Sequence, residues 1–196
     1  MPAAPITPLV SRFDETVEQA LERVRSPIAD RIFWSASSAC DHGLLWHTIG
    51  VVRALRRGTP LDAARFSTTM GIESFVTNVG VKSAFHRSRP AGSEEPLPVD
   101  LHRPVTSSFP SGHATAAFCA ASLLVRDGRS RVVWYSLATV VGLSRVYVRL
   151  HHPSDVVAGA VLGRVLGAAL APLISPRRAV RRTWWSIARG SGGRCR

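Results

Sequence analysis

The sequence predicts an all-α fold, a single bundle of five or six helices. Apolar stretches of helical length recur from residue 42 onward. No run alternates apolar and polar residues over a useful length. Proline, glycine and serine collect in one long stretch, 87–111. A chain of 196 residues suits one domain with one core. The expected organisation is an N-terminal amphipathic segment over 1–41, a helical core over 42–176, and a basic, tryptophan-containing tail over 177–196.

In chain order, Phe13, Val17, Leu21 and Val24 recur at helical spacing and predict a polar, amphipathic helix over 11–25. Pro27 marks a break after it. A more apolar helix follows over 42–55, then a basic loop with Arg56, Arg57, Gly58 and Pro60. Residues 61–82 form the next helix, with Glu73 and Asn78 as polar insertions. The stretch 87–111 is a long loop, and long loops in compact domains are commonly functional or disordered. Three apolar helices complete the core, over 112–126, 131–148 and 154–174.

Basic residues number 25 against 13 acidic, a formal charge of +12 that implies an anionic partner. The excess is spread over helix-end loops, which argues against a nucleic-acid groove. Lys82 is the only lysine in an arginine-dominated chain, so this position calls for a specific reason. Cys40, Cys119 and Cys195 are odd in number and far apart, with no zinc or disulfide spacing. The N-terminus has no basic region leading into an apolar run, so no cleavable signal peptide is expected.

Three polar clusters fall at helix ends. They are Lys82 to Arg89-Pro90, then Pro110-Ser111-Gly112-His113, then Ser144-Arg145 through His151 to Asp155. Their composition suits phosphoryl transfer. Lys82, Arg89 and Arg145 can supply fixed cations for a phosphate, arginine as a planar fork and lysine as a point charge. A helix starting at Gly112 offers free N–H groups at its positive end, with Ser111 as N-cap. A neutral imidazole attacks phosphorus well when its other nitrogen is held, and Asp155, four residues on, can reach back to His151. His113 can give a proton to the leaving oxygen. No carboxylate cluster suggests a metal, so no cofactor is expected.

The three clusters resemble the tripartite signature of the type 2 phosphatidic acid phosphatase superfamily. That signature reads Lys-x6-Arg-Pro, Pro-Ser-Gly-His and Ser-Arg-x5-His-x3-Asp, and this chain matches all three in order over 82–155. The resemblance implies a metal-independent mechanism through a phosphohistidine. Lys82, Arg89, Ser111, Gly112 and Arg145 would bind phosphate. His113 would be the general acid, His151 the nucleophile and Asp155 its orienting partner. The segment from Ser37 to Trp46 also resembles a stretch ahead of the core in some actinobacterial members, with no role attached.

Other polar residues have blander readings. His152, His42, His47, His86 and His102 are expected to be structural or pocket-lining. Arg87 and Arg103 are expected to be solvated loop charges. Glu73 and Arg164 are expected to face the interior or to snorkel.

The leading functional expectation is a phosphatase for a lipid or polyprenyl phosphate or diphosphate, embedded in the cell membrane as a multi-pass protein. A soluble acid phosphatase for small esters and a vanadium haloperoxidase are the alternatives. Trp184 and Trp185 would anchor the tail at the interface. Arg53, Arg56, Arg57 and Arg65 surround one loop, and Arg126, Arg129 and Arg131 occupy another. Arg177, Arg178, Arg181 and Arg182 follow the last helix. If each helix crosses once, these segments share the cytoplasmic side and the three clusters meet on the outer face.

Overall fold

The computed structural model describes residues 7–90, 106–126 and 131–174. His102, Arg103, Arg129 and the tail from 177 lie outside them. The described chain is all-helical and contains seven α-helices: α1 (Pro8–Arg23), α2 (Pro27–Ala39), α3 (Leu44–Arg56), α4 (Pro60–Phe75), α5 (Gly112–Val125), α6 (Arg131–Tyr147) and α7 (Pro153–Ile174).

The expected five or six helices therefore fall short by α2. Pro27 is its first residue rather than a stop. The ring fixes φ at a helical value and removes an N–H that would be orphaned there anyway. Ser26 precedes it as N-cap, its hydroxyl accepting from the Ala29 N–H at 3.2 Å, a contact of about 1 kcal/mol. The third expected helix also differs at its end. α4 stops at Phe75 and continues as a π-helical turn over Val76–Val81 and a 3-10 turn over Lys82–Ala84. Wider turns of this kind shift the side chains that follow them, and they recur at functional sites.

α5 and α7 form the centre, packed along a row of small residues. Gly159, Gly163, Gly167 and Ala171 recur every fourth position on the buried face of α7. A Cβ on Gly163 would lie 2.2 Å from the Thr115 carbonyl oxygen, and one on Gly159 2.6 Å from that of Ser111. The two backbones are thus in direct contact. Meanwhile Val157, Val161, Val165 and Leu173 of the same helix are exposed. These four aliphatic residues point outward while the glycines face the neighbouring backbone, a pattern shared with helices packed in membranes. The same outward display continues on α3 (Val51, Val52, Leu55), on α4 (Leu61, Ile72, Phe75) and on α6 (Val132, Val133, Val140). Among the described residues, α7 alone is long and apolar enough to cross a membrane, with a mean hydropathy of 1.9.

Two ends result. At one, the guanidinium of Arg53 near the end of α3 donates to the Leu124 carbonyl near the end of α5 at 3.1 Å. The end of α4, the start of α5 and the α6–α7 junction lie at the other. Arg164 is exposed on α7, its guanidinium 5.3 Å from the centre of the Tyr135 ring.

Candidate active site

The three sequence clusters come together at that second end, around a cavity of 670 Å³. Lys82, Gly112, His113 and His151 line it, with Trp46, Met70, Phe75 and Val79 as apolar wall.

Gly112 opens α5 behind Ser111, which is fully buried and caps the helix through Ala114 N–H at 3.5 Å. A Cβ at Gly112 would sit 3.6 Å from Nζ of Lys82, so the lysine lies beside the start of α5. Lys82 is 7% exposed. Burial, with Arg89 and Arg145 nearby, pushes its ammonium down to about 8. An anion at this point would favour the charged form.

Arg145 is fully buried. Its Nη1 donates to the Ser37 hydroxyl, while Nε and Nη2 have no hydrogen-bond partner among the described residues. A buried guanidinium with two open donors can accept an anion as partner. Arg89 is held differently. Its Nη1 donates to the Leu150 carbonyl at 2.5 Å and Nη2 to that of Thr106 at 3.2 Å. It joins the two loop segments that flank the site, and burial lowers its guanidinium below the usual range.

His151 is 1% exposed. Its Nδ1 lies 2.7 Å from the main-chain carbonyl oxygen of Ser108. A carbonyl only accepts, so Nδ1 carries the hydrogen and Nε2 the lone pair. Burial pushes the ring down to about 3, against the pull of the neighbouring Asp155 carboxylate, which keeps the imidazole neutral. Asp155 itself is 3.7 Å from Nδ1, beyond hydrogen-bond reach. Its oxygens are taken instead by the His152 N–H at 2.9 Å and by Arg87 Nη1 at 2.5 Å.

Arg87 corrects an expectation. The solvated loop charge of the sequence reading is a half-buried bridge. Nη1 also donates to Ser154 Oγ at 2.7 Å, and Nη2 to Asp14 Oδ2 at 2.7 Å. Asp14, from α1, accepts as well from the Ser154 N–H at 2.8 Å, in the first turn of α7. The reason is topological: α1 packs across the start of α7 and brings Asp14 to the guanidinium, so the buried carboxylates are paired rather than left uncompensated. His152 lies 2.9 Å from a Glu18 carboxylate oxygen, Glu73 is buried with Thr77 donating to it at 3.0 Å, and the His47 ring lies 3.1 Å from the Ser67 hydroxyl. None of the three departs from its expectation.

Sequence reasoning missed three residues, Asp14, Ser37 and Asp41. Asp41 opens the 3-10 turn between α2 and α3, and His113 Nε2 donates to its Oδ1 at 2.9 Å. Gly43 follows at φ +72°, a backbone state in which glycine carries no Cβ penalty. The only available signal was the Ser37–Trp46 resemblance.

The family model of the PAP2 superfamily matches residues 62–179, more than half of the chain. The chain belongs to the PAP2 superfamily. Among curated proteins it is 38% identical over 99 residues to a lipid A 1-phosphatase of Rhizobium etli, covering 47% of this chain and 41% of that one. It is 31% identical over 123 residues to a decaprenylphosphoryl-5-phosphoribose phosphatase of Mycolicibacterium smegmatis, covering 61% and 64%. A lipid A 1-phosphatase of Porphyromonas gingivalis is 34% identical over 98 residues, 47% of this chain and 19% of the relative. The chain thus spans less than two thirds of these relatives. Among solved structures it resembles a transmembrane PAP2 type phosphatidylglycerolphosphate phosphatase from Bacillus subtilis, with TM-score 0.69 and 23% identity over 87% of this chain and 89% of that one. LpxE of Aquifex aeolicus gives TM-score 0.63 and 22% identity over 79% and 92%. At such identities the likeness speaks for the fold.

Proposed function

We propose that this PAP2 protein is a metal-independent phosphatase acting on a lipid or polyprenyl phosphate or diphosphate, with a phosphohistidine formed at His151. The observation that carries this reading is the tautomer of His151. Its Nδ1–H is given to Ser108, which leaves Nε2 as the nucleophilic nitrogen in a cavity shared with Lys82, Gly112 and His113. Nε2 bonds to phosphorus as the ester P–O bond breaks, and His113 protonates the departing oxygen. Water then attacks phosphorus, giving a proton back to His113, and the N–P bond breaks. Lys82, the open donors of Arg145 and the N–H groups at Gly112 hold the phosphoryl oxygens, while Ser111 and Arg89 shape the pocket around them. Asp155 balances the charge beside His151.

The lipid assignment rests on the exposed aliphatic faces of α3, α4, α6 and α7 and on the glycine row turned inward. The named substrates of the lipid A and decaprenyl relatives point the same way. On this reading the helices from α3 to α7 form the catalytic core, and α1 and α2 brace it. With Arg53, Arg126 and Arg131 at the far end, the active site opens on the outer face.

The test is phosphate release by purified protein in detergent, across phosphatidic acid, a polyprenyl phosphate, a polyprenyl diphosphate and small esters. Turnover of a lipid that survives EDTA and is blocked by vanadate is expected. Turnover confined to small esters, or loss on chelation restored by magnesium, overturns the reading.

A further inference from the structure

Asp41 lies outside the three sequence clusters and ahead of the residues matched by the family model, 62–179. It nevertheless touches two groups of the site. Its Oδ1 is 2.9 Å from Nε2 of His113 and 3.7 Å from Nη1 of Arg145. Ser37, four residues earlier, accepts from the same Nη1. The end of α2 and the turn after it thus hold one edge of the arginine, and the opposite nitrogens, Nε and Nη2, stay open.

We infer that Asp41 is a positioning residue that holds His113 through Nε2, making Nδ1 the nitrogen that exchanges the leaving-group proton. The inference rests on the phosphatase reading above. A carboxylate only accepts, so Nε2 of His113 carries a hydrogen in both of its charge states. The neutral ring then has its lone pair on Nδ1. In the first half-reaction the imidazolium gives the Nδ1 proton to the ester oxygen as the P–O bond breaks and the His151 N–P bond forms. In the second, Nδ1 takes a proton from water as the new P–O bond forms and the N–P bond breaks. Asp41 stays ionised throughout. It is also the counter-charge for an imidazolium that otherwise faces Arg145 and Lys82. Without it, the acid form of His113 would stand among cations alone.

The consequence is leaving-group dependence. An alkoxide needs a proton to depart, whereas p-nitrophenolate leaves well without one. The experiment compares kcat/KM, which reports the steps through departure of the first product, for p-nitrophenyl phosphate and for a short-chain phosphatidic acid. Asp41→Asn should lower the alkyl value about 100-fold and the aryl value at most about threefold, the size of a general-acid contribution. Asp41→Glu should restore part of the loss. A merely structural defect would lower both substrates together. Parallel losses, or no loss, in a chain whose wild type turns over both substrates overturn the role of Asp41 alone. Should Asp41→Asn fail to fold, Asp41→Glu carries the same comparison, and parallel losses there overturn the role. A wild-type chain that releases phosphate from neither substrate overturns the phosphatase reading and this inference with it.

Discussion

Nδ1 of His151 faces the main-chain carbonyl of Ser108 at 2.7 Å, with the Asp155 carboxylate a further ångström away at 3.7 Å. The tautomer of His151 is therefore fixed by backbone, and the carboxylate adds charge rather than a hydrogen bond. His151→Ala should abolish turnover. Asp155→Asn should cost about 10–100-fold in kcat, less than the roughly 10⁴-fold loss seen where a carboxylate alone sets the tautomer. Steady-state kinetics on the two variants check this, and a loss in Asp155→Asn as large as in His151→Ala contradicts it.

On the proposed mechanism Lys82 should set the alkaline limit. In the free protein its ammonium is held down to about 8, so it is charged below that pH and neutral above it. The neutral amine cannot attract a phosphate, so kcat/KM should fall as pH rises through about 8. His151, held down to about 3, is already neutral across this range and contributes nothing to that limb. Lys82→Arg keeps its charge to far higher pH and should flatten the limb. It should also lower the rate, because a planar fork does not fit a point-charge site beside Gly112. A pH–kcat/KM profile for both proteins reads the two effects.

Arg87 joins α1 to α7. Replacing it with leucine leaves two buried carboxylates, Asp14 at 4% and Asp155 at 0% exposure, without their shared cation. Such a break costs about 3–5 kcal/mol, so Arg87→Leu should lower the thermal midpoint markedly. Asp14→Ala and Arg87→Ala should be non-additive by more than about 1 kcal/mol in a double-mutant cycle. Additive losses would mean that the bridge carries no coupling.

Gly163 should tolerate nothing larger than itself. The Cβ of alanine would meet the backbone of Thr115 and Cys119 at 2.2–2.9 Å, and backbone cannot swing aside. Gly163→Ala should cost about 1–3 kcal/mol through overpacking. Gly71→Ala is the control: nothing lies within 4 Å of a Cβ there, and a helical alanine is favoured by about 0.5–1 kcal/mol. Melting of the two variants in the same detergent should move in opposite directions.

Much of this protein is local and so is written in its sequence. The boundaries of α3, α5, α6 and α7 follow from apolar runs and their polar stops. The motif residues at 82–89, 110–113 and 144–155 announce themselves because each cluster is contiguous and sits at a helix end. The remaining features are pairings across distance. Arg87 reads as solvent-facing until α1 brings Asp14 to it from 73 residues away. Asp41 has no role in the sequence until α5 places His113 against it from 72 residues away. α2 was hidden for a smaller reason, a proline that can end one helix or begin the next, decided by Ser26 capping forward onto Ala29. Asp155, four residues from His151, is within reach along the chain, yet the fold gives it to Arg87 and gives the imidazole a carbonyl from 43 residues upstream. Residue type and spacing singled out the three motif clusters that meet at one end of the bundle. The packing of α1, α2 and the loop before α5 decided which partner each one holds, because a hydrogen bond goes to the nearest acceptor in space.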